Sequence, residues 1–375
     1  MRPLDFRERP FVVVWGLTGR ISLERLNPSS EVGAAHQARE LTPQEATRFI
    51  DQVADAGPAV LVLTGGDPLE RADLHDIVRH ATRRRLPVSL VARGTPRVTK
   101  DQLARLRDLG VQMMHVDLDG AAGATRDRLH GTSGLVQGSL DLLETLGDLG
   151  FPAQVVTTVS GDNTGELEWI ARRVATYGVR LWTVVFPIAV PGGRASTGLT
   201  TKQAEAVWRW LAGISVHAPF AIHTSGAPQF RRELLRCQRP PATPPKPIGA
   251  GYDVARPSDR AKIAGVNDGN GILFVDRGGD ICPSAMLHLT AGNVRVDDVG
   301  QVYRAAPLFR ELRDPAMLEG KCGRCRFSHV CGGSRARAFA ATRSHLGDDP
   351  LCGDHATPDS GESNREPSLL TGRDS

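Results

Sequence analysis

Four cysteines near the C-terminal end of the chain have the spacing of a metal-binding site. The chain has 375 residues and six cysteines, none of which lies before Cys237. Cys322 and Cys325 form a CxxC turn, Cys331 follows after five residues, and Cys352 follows after twenty more. Four thiolates suit a tetrahedral zinc ion or a 4Fe–4S cluster, and the spacing does not choose between the two. The plain alternative is a set of reduced core cysteines, which pack as small apolar residues.

Two groups of polar residues follow apolar runs in the N-terminal half. The first is a Gly-Gly-Asp-Pro turn made of Gly65, Gly66, Asp67 and Pro68. The second alternates along the end of another run, at His115, Asp117 and Asp119. Because side chains alternate between the faces of a strand, these three share one side, where they could bind an amine, a cation or a substrate. A hydrogen-bonded polar plug explains them equally well, and a Gly-Gly-Asp-Pro turn is also common after a strand.

Composition limits the class of protein. Forty per cent of the residues are apolar, 23% are charged and the formal net charge is +4, as in a globular protein rather than a fibrous or disordered one. So small a net charge gives no reason to expect a nucleic-acid partner. The first ten residues lack the apolar stretch of a signal peptide, and the apolar runs are too short to cross a bilayer. We therefore expect a cytoplasmic protein with no membrane partner, where a cysteine cluster indicates a metal rather than disulfides.

Short apolar runs alternate with amphipathic segments along the N-terminal half. The runs predict strands at 11–16, 59–64, 87–92, 111–118, 152–160 and 179–187. The segments between them predict helices at 43–56, 71–85, 99–109, 137–149 and 164–177, and one more is predicted at 201–213. Strands joined by helical crossovers form a parallel sheet that is buried on both faces. The repeated unit favours an α/β fold with a partial (β/α)6 TIM-type barrel over residues 1–225, although a doubly wound sheet has the same periodicity.

The remainder of the chain has a different pattern. Five prolines crowd residues 240–247, so that 226–264 is predicted to be a linker or an ordered lid. Two apolar runs on either side of Gly278 and Gly279 predict a hairpin from residue 272, and a short helix is expected near 299–313. With the cysteines, these elements form a small second unit over 265–355. The polar residues 356–375 are expected to be a disordered tail.

The C-terminal motifs resemble a known family. Residues 320–338, together with 349–352, resemble the SPASM-type C-terminal domain of radical SAM maturases. Segments 265–269, 282–284 and 291–295 also fit the branch that contains the iron-coproporphyrin decarboxylases of heme biosynthesis. The resemblance covers about residues 10–352 and implies a radical SAM barrel followed by a small SPASM- or twitch-like iron–sulfur domain. It further implies that an auxiliary 4Fe–4S cluster is held by Cys322, Cys325, Cys331 and Cys352.

The same resemblance argues for one auxiliary cluster rather than two. A two-cluster domain needs further cysteines, and only Cys282 stands near such a position, where it is an additional candidate metal ligand. Arg335 occupies the position of another expected ligand. One 4Fe–4S cluster near the C-terminal end is therefore the predicted metal cofactor.

The loop after the first predicted strand departs from the family. Radical SAM enzymes carry a CxxxCxxC motif there, and its thiolates hold the cluster that binds and cleaves S-adenosylmethionine (SAM). The corresponding positions here are Ile21, Arg25 and Pro28, and none of these side chains can ligate iron. The sequence therefore predicts that the catalytic cluster is missing.

The pocket that binds SAM in the family is preserved only in part. By resemblance, the Gly-Gly-Asp-Pro turn and the acids Asp117 and Asp119 would line it. His130 stands where relatives usually have arginine, and Val156 stands where they often have asparagine. These two departures argue against SAM as a cofactor, while the retained turn leaves it open.

Three hypotheses about function follow. The first is a degenerate radical SAM/SPASM protein, a pseudoenzyme that serves as an accessory or scaffold partner of an active maturase, a precursor peptide or a porphyrin. The second is an enzyme that carries out SAM-dependent polar chemistry in the emptied barrel with Asp67, Asp117 and Asp119. The third, a radical SAM oxidoreductase acting on a peptide or porphyrin, would need a cluster from another source. We favour the first because the three N-terminal ligands are lost while the four C-terminal cysteines remain.

Overall fold

The computed structural model describes residues 5–19, 39–57, 60–92, 98–120, 135–188, 198–237 and 266–353. The loop positions Ile21, Arg25 and Pro28 lie outside these ranges, as does His130. The proline cluster at 240–247 and the predicted tail also lie outside them.

Seven parallel strands follow one another in the order of the sequence. They are β1 (Val12–Gly16), β2 (Val60–Thr64), β3 (Val88–Ala92), β4 (Val111–Asp117), β5 (Ala153–Thr158), β6 (Leu181–Val185) and β7 (Ala221–Ser225). Each strand pairs in parallel with the next. The first six agree with the predicted strands, and the partial TIM-type α/β fold is confirmed. The seventh is not among the predictions because its sequence, AIHTS, is too short and polar to read as an apolar run.

Among the described residues, seven helices accompany these strands. They are α1 (Pro43–Asp55), α2 (Leu74–Arg83), α3 (Lys100–Asp108), α4 (Leu135–Asp148), α5 (Leu167–Thr176), α6 (Thr201–Ile214) and α7 (Gln229–Arg236). Capping boxes begin three of them, at Thr42, Thr99 and Thr200, where the threonine accepts a hydrogen bond from the N3 amide and the N3 side chain bonds back. The first six helices agree with prediction. Helix α7 falls inside the predicted linker, so the regular structure extends at least to residue 236.

The C-terminal unit contains three short strands and four short helices. They are β8 (Ile272–Val275), β9 (Asp280–Cys282), β10 (Gly292–Asn293), α8 (Val299–Ala305), α9 (Pro307–Arg313), α10 (Gly320–Gly323) and α11 (Arg335–Thr342). Strands β8 and β9 form the expected hairpin. The helix expected near 299–313 is divided at Ala306, whose backbone is extended because the following proline disfavours a helical conformation there. No helix in the described ranges is long and apolar enough to span a bilayer.

Strand β8 joins the C-terminal unit to the barrel sheet. It pairs in parallel with β1, from Val12 opposite Ile272 to Trp15 opposite Val275. The strand order is therefore β10-β9-β8-β1-β2-β3-β4-β5-β6-β7. This pairing covers the outer edge of β1, which would otherwise present unpaired amide and carbonyl groups. The boundary near residue 265 remains a prediction about domains, since the sheet itself runs across it.

The two faces of the sheet have separate apolar clusters. On the helix side, Trp15 and Phe49 belong to the large core. On the other side, Val60, Val62, Met113, Leu181 and Ala221 form a smaller cluster, which lines the barrel lumen. Because His115 and Asp117 share the parity of Met113 on β4, they face the lumen as well.

Candidate metal centre

The four clustered cysteines lie on turns and short helices beside the barrel. We call Cys322, Cys325, Cys331 and Cys352 the cysteine quartet. Cys322 and Cys331 are buried, and the other two are half-buried. Gly332 and Gly333 follow Cys331 with φ of +64° and +70°, a conformation that favours glycine. A Cβ on Gly333 would stand 3.1 Å from Cys322 Sγ, so the absence of a side chain lets the backbone pass close to the sulfur.

Two sulfurs of the quartet accept hydrogen bonds from backbone amides. The N–H of Phe327 donates to Cys325 Sγ at 3.4 Å, and the N–H of Gly333 donates to Cys331 Sγ at 3.4 Å. In both pairs the donor lies two residues after the cysteine, so the turn that follows each cysteine directs an amide back to its sulfur.

The other two sulfurs accept hydrogen bonds from buried guanidinium groups. Arg232 Nη1 lies 3.3 Å from Cys352 Sγ, and Arg335 Nη2 lies 3.6 Å from Cys322 Sγ. A thiol is a weak acceptor, whereas hydrogen bonds to an ionised group are stronger. Four donors directed at four sulfurs therefore fit a set of four thiolates.

Two arginines of the centre are held by neutral groups. Arg231 and Arg335 are 8% and 1% exposed. Arg231 donates to the main-chain carbonyls of Val266 and Val330. Besides the sulfur of Cys322, Arg335 donates to the carbonyls of Gly333, His345 and Gly347. Within the described ranges, neither forms an ion pair with a carboxylate. Burying a guanidinium without a counter-charge is costly, and ionised quartet cysteines would supply that charge.

Burial changes the protonation of Cys331 when no metal is bound. It raises the pKa of the Cys331 thiol to about 12, although the Gly333 amide and Arg231 act in the opposite direction. It also lowers the pKa of Arg231 to about 10, against the effect of Cys331. Metal-free Cys331 is therefore a neutral thiol at pH 7, and a bound metal has to displace its proton.

The buried carboxylate of Asp349 connects the segment before Cys352 to neighbouring helices. Asp349 accepts hydrogen bonds from the Ser334 amide at 2.8 Å, from Gln229 Nε2 at 2.7 Å and from Arg337 Nη1 at 2.9 Å. Burial by itself would raise the pKa of Asp349, but Arg337 and these donors outweigh it and hold the pKa below its ordinary value. Asp349 thereby joins α7 to α11 three residues before Cys352.

The geometry bears on the choice between a zinc ion and a cluster. Within the described ranges, no three His, Cys, Asp or Glu side chains stand close enough together to hold a single ion. Tetrahedral zinc needs its thiolate sulfurs ~3.8 Å apart, as follows from Zn–S bonds of about 2.3 Å. In a 4Fe–4S cluster each thiolate binds a different iron, so the sulfurs stand further apart. The assignment of a 4Fe–4S cluster to the quartet remains a prediction.

Cys282 lies in a different environment. It is fully buried on β9 opposite Phe274 of β8. Burial raises the pKa of Cys282, while a hydrogen bond with His288 lowers it. His288 Nε2 lies 3.7 Å from Asp276 Oδ2, and Asp276 and Cys282 raise the pKa of His288 to about 10. The assignment of Cys282 as a metal ligand remains a prediction. Its neighbours His288 and Asp276 are not among the residues predicted from the sequence.

The Gly-Gly-Asp-Pro turn lies at the carboxyl end of β2. Gly65 has a φ of +112°, and a Cβ there would stand 2.7 Å from the carbonyl oxygen of Thr18. The Gly66 amide donates to that same carbonyl at 2.8 Å. Asp67 accepts a hydrogen bond from the amide two residues further on and so caps the short 3-10 helix that Pro68 begins. The turn is therefore fixed tightly against the end of β1.

The acids that follow β4 have different surroundings. Asp117 ends the strand on the lumen side, where it is half-buried. Asp119 lies beyond the strand and is 1% exposed. Its carboxylate accepts a hydrogen bond from the Thr158 amide of β5, and its carbonyl accepts one from Asn163 Nδ2. Asp119 therefore helps to hold β4 and β5 together, and Asp117 is the acid that faces the lumen.

A row of polar side chains crosses the lumen from β4 to β7. His115 is in register with Gln154, whose Nε2 donates to Thr183 Oγ1 at 2.8 Å, and Thr183 is in register with His223. Within the described ranges, His115 Nε2 and Gln154 Oε1 are buried without a hydrogen-bond partner. Burial lowers the pKa of both histidines to about 4, so both are neutral at pH 7. His115 belongs to the alternation on β4 that the sequence shows, whereas Gln154, Thr183 and His223 have no comparable signal in the sequence.

Comparisons with known sequences agree with the fold. The model of the radical SAM superfamily matches residues 27–174 and so begins after positions 21 and 25. An AdoMet-dependent heme synthase of Methanosarcina barkeri is 33% identical over 343 residues, which cover 92% of this chain and 96% of that protein. The mycofactocin maturase MftC of Mycolicibacterium smegmatis is 27% identical over 365 residues, which cover 92% of this chain and 83% of that protein.

A comparison with solved structures gives the same result. The crystal structure of Streptococcus suis SuiB bound to precursor peptide SuiA has a TM-score of 0.65 and 13% identity, and the match covers 92% of this chain and 76% of that one. At this identity the likeness concerns the fold alone. The match to the heme synthase extends over almost the whole of both chains. It therefore supports membership of the same superfamily as well as the same fold. The chain belongs to the radical SAM superfamily.

Proposed function

We propose that this chain is a degenerate member of its superfamily, without radical chemistry of its own. It holds one 4Fe–4S cluster on the cysteine quartet and serves as an accessory or scaffold partner in the maturation of a peptide or a heme-like cofactor. The observation that carries this proposal is the distribution of the cysteines, none of which lies in the first 236 residues. Without three thiolates in the N-terminal loop, no residues of this chain fit the cluster that cleaves SAM.

The surroundings of the quartet support a cluster at the C-terminal end. Each of the four sulfurs accepts a hydrogen bond, two from amides and two from guanidinium groups. Arg231 and Arg335 point the same way, because they are buried and pair with no carboxylate among the described residues. When bound, such a cluster supplies a one-electron redox centre and ties the surrounding turns together.

The relatives suggest the class of partner. Two of them are named a heme synthase and a peptide maturase, and the solved structure contains a precursor peptide. A porphyrin, a precursor peptide or an active maturase is therefore the partner that we propose, in the reducing cytoplasm where free cysteines persist. The lumen offers both an apolar lining and a polar row, which suits a ligand with an apolar body and hydrogen-bonding groups.

Anaerobic reconstitution tests the cluster and the missing radical chemistry together. We expect about four iron and four sulfide atoms per chain, and none in a variant with Cys325→Ala and Cys331→Ala. Incubation with SAM and dithionite should release no 5′-deoxyadenosine. About eight iron atoms per chain, or release of 5′-deoxyadenosine, would overturn the proposal, and so would zinc in place of iron.

An alternative is favoured by one observation. The Gly-Gly-Asp-Pro turn is held in a defined shape beside the end of β1, and a relative that is 33% identical is named AdoMet-dependent. This combination supports a SAM-dependent enzyme that acts on a peptide or porphyrin with Asp67, Asp117 and Asp119 around the cofactor. Calorimetric titration with SAM distinguishes the two proposals. Saturable heat that is lost in Asp117→Asn supports the alternative, and no heat at high SAM concentration rejects it.

A further inference from the structure

Two buried arginines of the centre place positive charge beside the quartet. Arg231 and Arg335 are held by carbonyls, as described above, and within the described ranges neither is paired with an acid. Arg335 also occupies the position where the family resemblance expects a further cysteine ligand. A cation thus stands where a second anionic ligand would be, and its guanidinium is directed at the sulfur of Cys322.

Arg232 has the same relation to the sulfur of Cys352 but a different balance of charge. Its guanidinium bonds Glu205 Oε2 at 2.5 Å and Glu233 Oε1 at 2.8 Å as well as the sulfur. Loss of Arg232 would remove a partner from two carboxylates beside the centre, of which Glu233 keeps an ion pair with Arg236. Among the described residues Arg335 pairs with no acid, so a change at Arg335 alters the charge next to the quartet and leaves no carboxylate unpaired.

We propose that Arg335, assisted by Arg232, sets the reduction potential of the bound cluster and favours its one-electron-reduced form. This inference rests on the proposed 4Fe–4S cluster. Reduction adds one electron, taken from a one-electron carrier protein or a chemical reductant, and adds one negative charge to the centre. Arginine carries a permanent positive charge in proteins, so no proton has to accompany the electron.

Position and burial explain why the effect should be large. Reduction potentials of iron–sulfur clusters depend on net charge, on hydrogen bonds to the sulfurs and on solvent exposure. Arg335 acts through the first two, and with 1% of its surface exposed it is little screened by water. If Arg335 served only to bind the carbonyls of His345 and Gly347, its replacement would leave the reduction potential of the cluster unchanged. The potential is therefore the measurement that separates the two roles.

A redox titration followed by electron paramagnetic resonance tests the proposal on the full, reconstituted chain. Arg335→Gln removes the charge, and we expect at least a tenfold shift toward the oxidised form at fixed potential, which is a decrease of about 59 mV for one electron. Arg335→Lys keeps the charge and should show a smaller decrease. Arg172→Gln is the control, because Arg172 is 77% exposed and pairs with Glu168 on α5.

The outcomes separate this inference from the proposed function. A wild-type chain that binds no iron would remove both. An Arg335→Gln protein with full iron content and an unchanged potential would overturn only the role of Arg335. If the variant does not hold its cluster, the unaltered protein labelled with ¹⁵N-arginine gives the answer. Pulsed resonance on its reduced cluster should then show coupling to arginine nitrogen, and a spectrum without that coupling would refute the contact.

Discussion

Arg295 Nε donates a hydrogen bond of 2.9 Å to Glu45 Oε1, although 250 residues separate the two along the chain. Glu45 is the N3 residue of α1, where its carboxylate also accepts from the Thr42 amide at 2.8 Å. Arg39 completes the group with an ion pair of 2.7 Å. One carboxylate therefore caps the first helix and connects it to the segment that follows β10.

Replacing this carboxylate should make the protein less stable in a pH-dependent way. The Thr42 amide, with Arg295 and Arg39, lowers the pKa of Glu45 from 4.5 to about 2. Because the folded pKa lies below the unfolded one, the stabilisation is complete above pH 4.5 and is lost as the pH falls toward 2. We expect Glu45→Gln to lower the free energy of unfolding by about 1 kcal/mol at pH 7 and by less at pH 3.

Urea denaturation at pH 7, 5 and 3 measures this difference. Glu168→Gln is the matched control, because Glu168 and its partner Arg172 are both mostly exposed. This substitution should change the free energy of unfolding by less than about 0.5 kcal/mol. A deficit of Glu45→Gln that is the same at pH 7 and pH 3 would show that the charge is not responsible.

The buried histidine of β4 should make the fold sensitive to mild acid. Burial lowers the pKa of His115 from 6.5 to about 4, so between these values the unfolded chain binds a proton that the folded chain does not. Stability is therefore full above pH 6.5 and falls as the pH drops to 4, by about 3 kcal/mol from this residue. Between pH 7 and pH 4, the free energy of unfolding of His115→Gln should therefore fall by about 3 kcal/mol less than that of the wild type. The exposed His217→Gln serves as control and should follow the wild type, and parallel curves for all three proteins would contradict the assignment.

The turn after β2 should tolerate no side chain at its first glycine. Gly65 combines a φ of +112° with close contacts to Leu17 and Thr18. We expect Gly65→Ala to lower the free energy of unfolding by about 2 kcal/mol. Gly147→Ala is a matched control inside α4, where nothing lies within 4 Å of the added Cβ, and it should raise stability by about 1 kcal/mol. Thermal unfolding measures both, and equal changes would argue against strain at Gly65.

Loss of one quartet cysteine should destabilise the C-terminal unit through the metal. Cys325→Ala removes one of four ligands, and because metal binding contributes to folding we expect a loss of about 3 kcal/mol or more together with loss of iron. Cys237 lies at the end of α7 and outside the quartet, so Cys237→Ala should keep the stability and the iron content of the wild type. Calorimetry with iron analysis measures the two properties. An unchanged unfolding temperature with normal iron content in Cys325→Ala would exclude that cysteine as a ligand.

The fold is more predictable from the sequence than the surroundings of the centre. Buried parallel strands are apolar on both faces, so six of them appear as runs, whereas β7 carries His223 and Ser225 toward the lumen and does not. The quartet is visible because metal ligands follow fixed spacings. Arg231, Arg232 and Arg335 have no such signature, since a guanidinium can reach a sulfur from a distant segment. Their role depends on how α7 and α11 pack, which the sequence does not express.

The pairing of β8 with β1 has a consequence for how the chain reaches this fold. Val12 lies opposite Ile272, so the first strand obtains its outer neighbour from residues made 260 positions later. Contacts between such distant segments form slowly, and until then β1 has an open edge that can pair with other chains. A fragment that stops before residue 266 should therefore aggregate rather than behave as an isolated barrel. We therefore expect the last hundred residues to protect the sheet once they have been made, in addition to holding the cysteines.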